Sequence, residues 1–163
     1  MDYGQPAHNG EGDSLEVISF NVDGQPYCLD ISDIIEIRGW TPATPIAQAP
    51  HYVKGVISLR GVVMPVIDLG ARIGLCQMSP NDRNVIIVAQ LDSGPVGLLV
   101  EAVSDTMMIN KSQIQPADTA SGGAAPEFVV GFLPLEGRMV TVLNLDLLIG
   151  RSGARSGSFA EAF

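Results

Sequence analysis

The sequence predicts an all-β protein, built as a barrel or a sandwich, and three observations support this. Apolar and polar residues alternate in short runs, as where Ile18, Phe20 and Val22 flank Ser19 and Asn21, which is the period of a half-buried strand. Gly-rich turns separate these runs, and helical periodicity is weak. One segment of the first half also returns in the second half. Many short strands joined by tight turns are typical of barrels and sandwiches.

The strands are predicted from this alternation and from turn residues, of which Asp23-Gly24 is the clearest pair. Helical turns are expected only near Pro50–Lys54, Asp68–Gly74 and Asp146–Gly150. About ten strands are predicted: Ile18–Val22, Tyr27–Ile31, Ile34–Arg38, Val56–Leu59, Val62–Ile67, Asn84–Leu91, Val96–Glu101, Val103–Ile109, Val129–Leu135 and Arg138–Leu143.

An internal repeat links the two halves of the chain. The segment GVISLRG at residues 55–61, followed by VIDL, returns as GFLPLEG at 131–137, followed by VLNL at identical spacing. A fainter echo aligns residues 23–36 with residues 92–105 at one constant offset. A repeated supersecondary unit predicts two similar subdomains.

Composition limits the compartment and the partners. The chain has 163 residues, 46% of them hydrophobic, which suits one ordinary domain or two small barrels sharing a core. Its net charge of −9 makes nucleic acid and bare membrane poor partners. No apolar run approaches the roughly 20 residues of a membrane span, and no secretory signal is present. We therefore predict a cytoplasmic protein with flexible tails at residues 1–13 and 151–163.

Reactive residues are sparse, so no catalytic, cofactor or metal site is predicted and the chain is not expected to be an enzyme. The two histidines, His8 and His51, have no companion at ligand spacing. Cys28 and Cys76 are predicted to be reduced thiols in a reducing compartment. The sequence contains neither a phosphate-binding loop nor a nucleophile elbow.

Glu36 and Arg60 stand out as a polar pair at strand-like positions of the first half. Their counterparts in the repeat are Asp105 and Glu136, so the architecture does not require opposite charges there. One interpretation is a surface salt bridge worth about 0–1 kcal/mol. The other is an arginine presented to a partner, because the planar guanidinium gives directional, bidentate hydrogen bonds. The residues alone favour neither interpretation.

Apolar residues at strand positions leave a similar choice open. Ile31, Ile34, Val85 and Val103 are core by default, yet a ring of such residues around a groove could dock an amphipathic helix. Both roles require Val and Ile, so the sequence does not separate them.

A long stretch of the first half resembles the signature of the CheW-like domain family. It comprises IEIRGW at residues 35–40, the turn PHYVKG at 50–55 and the run SLRGVVMPVIDL at 58–69. Later segments are also similar to the family, and the resemblance extends from about residue 15 to residue 149.

The resemblance implies a fold of two intertwined five-stranded SH3-like β-barrels with short helices. The domain would span residues 14–150, with a first barrel at about 14–79, a second at 80–150, and an exchange of strands between them left open. Two departures from the family pattern concern local contacts: Ser58 replaces the usual Asn, and Gly70 stands where a basic residue is common.

The family also implies a function and a set of partners. CheW-like proteins link the cytoplasmic tips of transmembrane chemoreceptors to the regulatory domain of the histidine kinase CheA. The chain would be cytoplasmic, recruited to membrane receptor arrays without inserting into the membrane. The residues carried over from the family are the functionally sensitive pair Glu36 and Arg60, the groove or receptor-side residues Ile31, Val85 and Val103, the residues near kinase or receptor surfaces Ile34, Gly55 and Gly61, and a glycine of the second barrel, Gly131.

Other functions remain open at this stage. Within the family, the chain could serve a non-motility chemosensory-like array, or be a CheW domain separated from receiver or kinase modules. Outside that class, it could be a small-ligand-binding β-barrel or an enzyme with a site assembled from distant residues.

Overall fold

The structure, a computed structural model, describes residues 13–75, 80–117 and 126–150. Within these ranges the chain is mostly strand, with one α-helical turn, α1 (Leu69–Arg72), and short helices of other types at Ile31–Asp33, Lys111–Gln113 and Asp146–Gly150. The strands are β1 (Ser14–Val22), β2 (Gln25–Asp30), β3 (Ile34–Gly39), β4 (Val53–Leu59), β5 (Val62–Asp68), β6 (Val85–Leu91), β7 (Gly94–Val100), β8 (Ala102–Asn110), β9 (Gln115–Pro116), β10 (Val129–Leu135) and β11 (Arg138–Leu143).

The all-β prediction is confirmed, and each predicted strand is present. Ile31 is a correction: the Asp30 carboxylate accepts a hydrogen bond from the backbone N–H of Ser32, so β2 ends and a helical turn begins there. Near Pro50–Lys54, where a helical turn was predicted, the Val53 N–H donates to the Pro50 carbonyl in a single turn, and β4 begins at Val53. The predicted tails, apart from Asp13, and Cys76 lie outside the described residues.

The strands form two sheets whose order repeats. One sheet has the order β8-β1-β2-β11-β10-β9 and the other β3-β6-β7-β5-β4. The repeat in the sequence gives five strands a counterpart: β1 corresponds to β6, β2 to β7, β8 to β3, β10 to β4 and β11 to β5. When each strand of the first sheet, apart from β9, is replaced by its counterpart, the strand order of the second sheet results. Each sheet therefore combines strands from both halves of the chain. The halves are joined by two parallel pairs, β2 with β11 and β5 with β7, and by two antiparallel pairs, β1 with β8 and β3 with β6.

Apolar residues fill three clusters. The largest lies between the sheets and includes Phe20 and Leu29 from one sheet and Ile87 and Leu98 from the other. A smaller cluster belongs to each sheet alone. On β6 the side chains alternate, so that Ile86 joins the cluster of its own sheet while Ile87 joins the cluster between the sheets. Such strands are apolar on both faces, which explains their continuous hydrophobic runs.

Two buried glycines allow the ends of each sheet to approach each other. After β3 the chain continues to Thr44, which pairs with Val56 on the opposite edge strand. A Cβ on Gly55 would lie 2.2 Å from the Thr44 carbonyl oxygen, and a Cβ on Gly131 would lie 2.3 Å from that of Gln115. In both sheets, the segment that comes after an edge strand in the sequence crosses to the opposite edge. Only glycine leaves room there for the backbone of this segment.

Candidate partner-binding site

Arg60 occupies a hairpin turn that its residue type does not favour. Three two-residue turns have positive φ at both central positions: Asp23-Gly24 with 52° and 74°, Arg60-Gly61 with 51° and 82°, and Glu136-Gly137 with 49° and 79°. Turns of this type prefer Asn, Asp or Gly at the first position. Arg60 adopts the left-handed conformation there although it lacks the short polar side chain that stabilises it.

The Arg60 guanidinium donates a hydrogen bond to Oε1 of Glu36 on β3, and Arg38 Nη1 lies 3.2 Å from the other carboxylate oxygen. These contacts lower the pKa of Glu36, the hydrogen bond from Arg60 most and that from Arg38 second. Glu36 is 26% exposed, whereas Arg60 is 68% exposed. The salt bridge thus exists, and most of the Arg60 side chain remains accessible. Its role in partner binding stays a prediction.

Four exposed apolar side chains are close to this pair in the sequence. Ile35 and Ile37 on β3, and Val62 and Val63 directly after the turn, are each about half exposed. Because successive strand residues point to opposite faces, Ile35 and Ile37 lie on the face of β3 opposite Glu36. Val62 and Val63 follow the Arg60 turn, and apolar residues next to an accessible arginine are a common composition for an interface. Sequence reasoning missed these four residues, because Val and Ile in a strand are assigned to the core by default. The regular alternation of burial along β3 shows that its two faces differ.

The predicted apolar groove residues lie at the margin of the core. Ile34, Val85 and Val103 are half-buried and pack against the cluster between the sheets. Ile31 is also half-buried, in the helical turn after β2. Partial burial leaves part of each side chain accessible. Whether they bind a partner stays a prediction.

The predicted glycines take two kinds of position. Gly55 and Gly131 are buried at the strand crossings, so the structure gives them a packing role within the chain. Gly61 is exposed, and a Cβ there would meet no atom within 4 Å. Its positive φ, rather than lack of space, is what favours glycine. Their proximity to a partner stays a prediction.

A cavity of about 490 Å³ lies beside β10 and β11 and was not foreseen from the sequence. Its apolar walls carry the carboxylates of Asp30, Asp33 and Asp146 together with Lys111. Burial raises the pKa of Asp33, and repulsion from Asp30 and then Asp146 raises it further. No pattern in the sequence indicates this cluster, because Asp30 and Asp146 come from opposite ends of the domain.

Other reactive groups offer little chemistry. Within residues 13–75, 80–117 and 126–150, no three His, Cys, Asp or Glu side chains converge to hold a metal ion. Burial raises the pKa of Cys28 to about 12, so its thiol is not a nucleophile near neutral pH. No helix in the described part of the chain is long and apolar enough to cross a membrane.

Comparisons with known proteins identify the family. The family model of the CheW-like domain matches residues 16–152. The chain is 48% identical to a chemotaxis protein CheW of Rhizobium meliloti, over 80% of this chain and 84% of that protein. It is 42% identical to a probable chemotaxis protein CheW of Rhizobium etli, over 93% and 97% of the two chains.

A solved structure agrees with these relatives. The crystal structure of the scaffolding protein TtCheW from Thermoanaerobacter tengcongensis matches with a TM-score of 0.73 and 27% identity. The match covers 83% of this chain and 92% of that one. With both its sequence and its strand arrangement matched over most of their length, the chain belongs to the CheW-like domain family.

Proposed function

We propose that this chain is a non-catalytic adaptor that couples transmembrane chemoreceptors to the histidine kinase CheA in chemotaxis arrays. Chemotactic coupling is the function supported by its family and by relatives that are chemotaxis proteins. The absence of catalysis is part of the proposal, and it is supported by the scaffolding protein among the similar structures.

The observation that carries the proposal is the accessible Arg60, held by Glu36 and followed, after Gly61, by the half-exposed Val62 and Val63. A carboxylate that accepts one edge of a guanidinium fixes its direction and leaves the other edge free for a partner. An adaptor needs such preorganised contacts, because it acts by holding two proteins together. Holding them raises their effective concentration and couples their conformations.

The fold proposed for this adaptor is a pair of intertwined five-stranded SH3-like barrels, at about residues 14–79 and 80–150 with strands exchanged. Three features support it: the equivalent strand orders, the small apolar cluster within each sheet, and the chain crossings at Gly55 and Gly131. A closed barrel would give each sheet its own interior and leave the largest cluster as the contact between barrels.

The proposed partners are the cytoplasmic tip of a chemoreceptor and the regulatory domain of CheA. The receptor would contact Ile31, Val85 and Val103, whose half-buried apolar side chains suit an amphipathic helix, the last two at the margin of the core between the sheets. The kinase would contact the sheet ends. The adaptor would act in the cytoplasm at membrane receptor arrays, and its net charge of −9 disfavours nucleic acid and membrane insertion.

A co-sedimentation assay tests the proposal. Receptor-containing membranes and CheA from the same cell are combined with and without this protein, and bound kinase and its autophosphorylation are measured. We expect recruitment and activation that require the protein and are lost with Arg60→Asn. The matched control is Glu136→Asn, which makes the same change in the corresponding turn of the other sheet. Kinase recruitment that is equal with and without the protein would overturn the proposal.

A further inference from the structure

Arg72, the last residue of α1, lies over two aromatic rings. Its Cζ is 5.2 Å from the ring centroid of Tyr52 and 5.5 Å from that of Phe128. These aromatic residues are counterparts in the repeat, since each stands three positions before a crossing glycine, Gly55 or Gly131. The guanidinium therefore sits where the two halves of the chain meet, with aromatic faces on the positive group.

The hydrogen-bonding groups of Arg72 are unused. Its Nε is buried without a hydrogen-bond partner, and among the described residues its side chain has no ion pair or hydrogen bond. Arg72 as a residue is only partly buried, so its side chain is accessible in part to an incoming group. The aromatic rings thus orient the N–H donors of Arg72, but these donors have no acceptor among the described residues.

The other described cations are treated differently. Arg38 and Arg60 pair with Glu36, and Lys54 pairs with Asp68. The remaining cations, Arg83, Lys111 and Arg138, are exposed to water. Within the described ranges, Arg72 is thus the half-buried cation for which the chain supplies no acid.

The repeat shows that the fold does not need a cation at this place. Three residues after Leu69 comes Arg72, and three residues after the corresponding Leu145 comes Leu148, which is fully buried. An apolar side chain therefore serves the same helical turn in the other half. Packing alone therefore does not explain why residue 72 carries a guanidinium.

We propose that Arg72 is a binding site for a carboxylate of a partner protein, oriented by Tyr52 and Phe128. A single guanidinium in a chain of net charge −9 suits a single negative charge better than a dianion such as phosphate. The terminal nitrogens can donate two parallel hydrogen bonds to the carboxylate oxygens. Only the identity of the partner, receptor tip or CheA regulatory domain, rests on the proposed function.

The first test measures the affinity of each partner fragment by calorimetry at low and high salt. Because a charge-assisted contact is worth about 1.5–3 kcal/mol, Arg72→Met should weaken binding of one partner about 10- to 100-fold. Arg72→Lys should retain part of the affinity. Arg83→Met, which removes an exposed positive charge, should change neither partner's affinity.

Thermal unfolding separates a binding site from an internal brace. We expect Arg72→Met to keep the melting temperature of the parent protein, since Leu148 occupies the corresponding position. Unchanged affinity for both partners in Arg72→Met would overturn the proposal. So would a loss of affinity for both partners that follows a large fall in melting temperature.

A second measurement does not depend on the partners and so distinguishes failure of this site from failure of the adaptor function. Acetate is added to the isotopically labelled protein at constant ionic strength, with chloride as the control anion, and the side-chain Nε–H resonances of arginine are recorded. Acetate should shift the Arg72 resonance and leave that of Arg83 in place. A shift common to both arginines, or none at Arg72, would overturn the carboxylate site even if the protein recruits CheA.

Discussion

Lys54 Nζ lies 3.7 Å from Oδ2 of Asp68, whose side chain is 1% exposed. The Asp68 carboxylate also accepts a hydrogen bond from the N–H of Ala71 and so begins α1. In the repeat, Val130 and Asn144 replace the two residues, and the Asn144 amide oxygen accepts from Leu147 N–H. A side-chain oxygen thus caps the helical turn in both halves. It belongs to a charged carboxylate only in the first half, where Lys54 balances the charge.

This relationship predicts a double-mutant result. Lys54→Val should reduce the free energy of unfolding by about 2 kcal/mol, because it leaves a buried carboxylate without its lysine. Adding Asp68→Asn should restore most of the loss, since the pair then imitates Val130 and Asn144. Urea unfolding of the four proteins measures this. Additive losses would contradict it.

The Arg60 turn predicts a change that keeps the fold and alters the site. Arg60→Asn should leave the melting temperature unchanged or raised, because Asn suits the first position of this turn. The pKa of Glu36 should rise towards its ordinary value, since Arg60 is the main cause of its lowering. Glu36 should then lose its stabilising contribution at a higher pH during acidification. A carboxyl titration followed by NMR checks this, and an unchanged pKa of Glu36 would contradict the pairing.

The acidic cavity predicts a stabilising substitution. Asp33 has a raised pKa, so its charged form is disfavoured in the folded state and the protein is less stable above that pKa. Asp33→Asn should therefore raise the melting temperature at neutral pH. The difference should shrink as the pH falls through the folded pKa, because folded Asp33 then takes up a proton, and it should vanish below the ordinary pKa, where Asp33 is uncharged in both states. A melting temperature lowered by the substitution at pH 7 would mean that the carboxylate is stabilising.

The crossing glycines predict graded losses of stability. Gly55→Ala and Gly131→Ala should each reduce the free energy of unfolding by about 3 kcal/mol or more, because the added Cβ would overlap a backbone carbonyl. Gly61→Ala should lose only about 1–2 kcal/mol, from its left-handed backbone. Gly39→Ala, which meets no atom within 4 Å, is the control. Equal losses at all four positions in urea unfolding would contradict the close approach.

The margin of the core predicts a separation of binding from folding. Val85→Asp should weaken receptor binding more than kinase binding, because the half-buried side chain is placed where the receptor is proposed to dock. Ile87→Asp, on the same strand but fully buried, should unfold the protein instead. Circular dichroism and binding of each fragment distinguish the two. If Val85→Asp also unfolds the protein, Val85 belongs to the core.

Strands were predictable because alternation and turn residues are local signals. The repeat predicted two similar subdomains, and the two sheets have equivalent strand orders apart from β9. The division into subdomains itself stays a prediction. β9 was missed, since two residues that include Pro116 show no alternation. Pairings such as β2 with β11 join strands more than 100 residues apart, and nothing local marks them.

The site was predictable only in part. Glu36 and Arg60 were identified, and the structure brings them into contact. The exposed Ile35 and Ile37 were not, because residue type does not reveal which face of an edge strand meets water. Arg72 was not identified, because no local pattern links it to its aromatic neighbours: β4 and β5 separate it from Tyr52, and Phe128 lies in the other half of the chain.

The sharing of strands between the sheets sets an order for synthesis. The β3-β6-β7-β5-β4 sheet has all its strands once residue 100 has left the ribosome, whereas the other sheet lacks β11 until residue 143. The first hairpin, β1–β2, is therefore made earliest and completed last. Until then its apolar faces have no β10 and β11 beside them. The nascent chain therefore exposes an aggregation-prone hydrophobic surface during most of its synthesis.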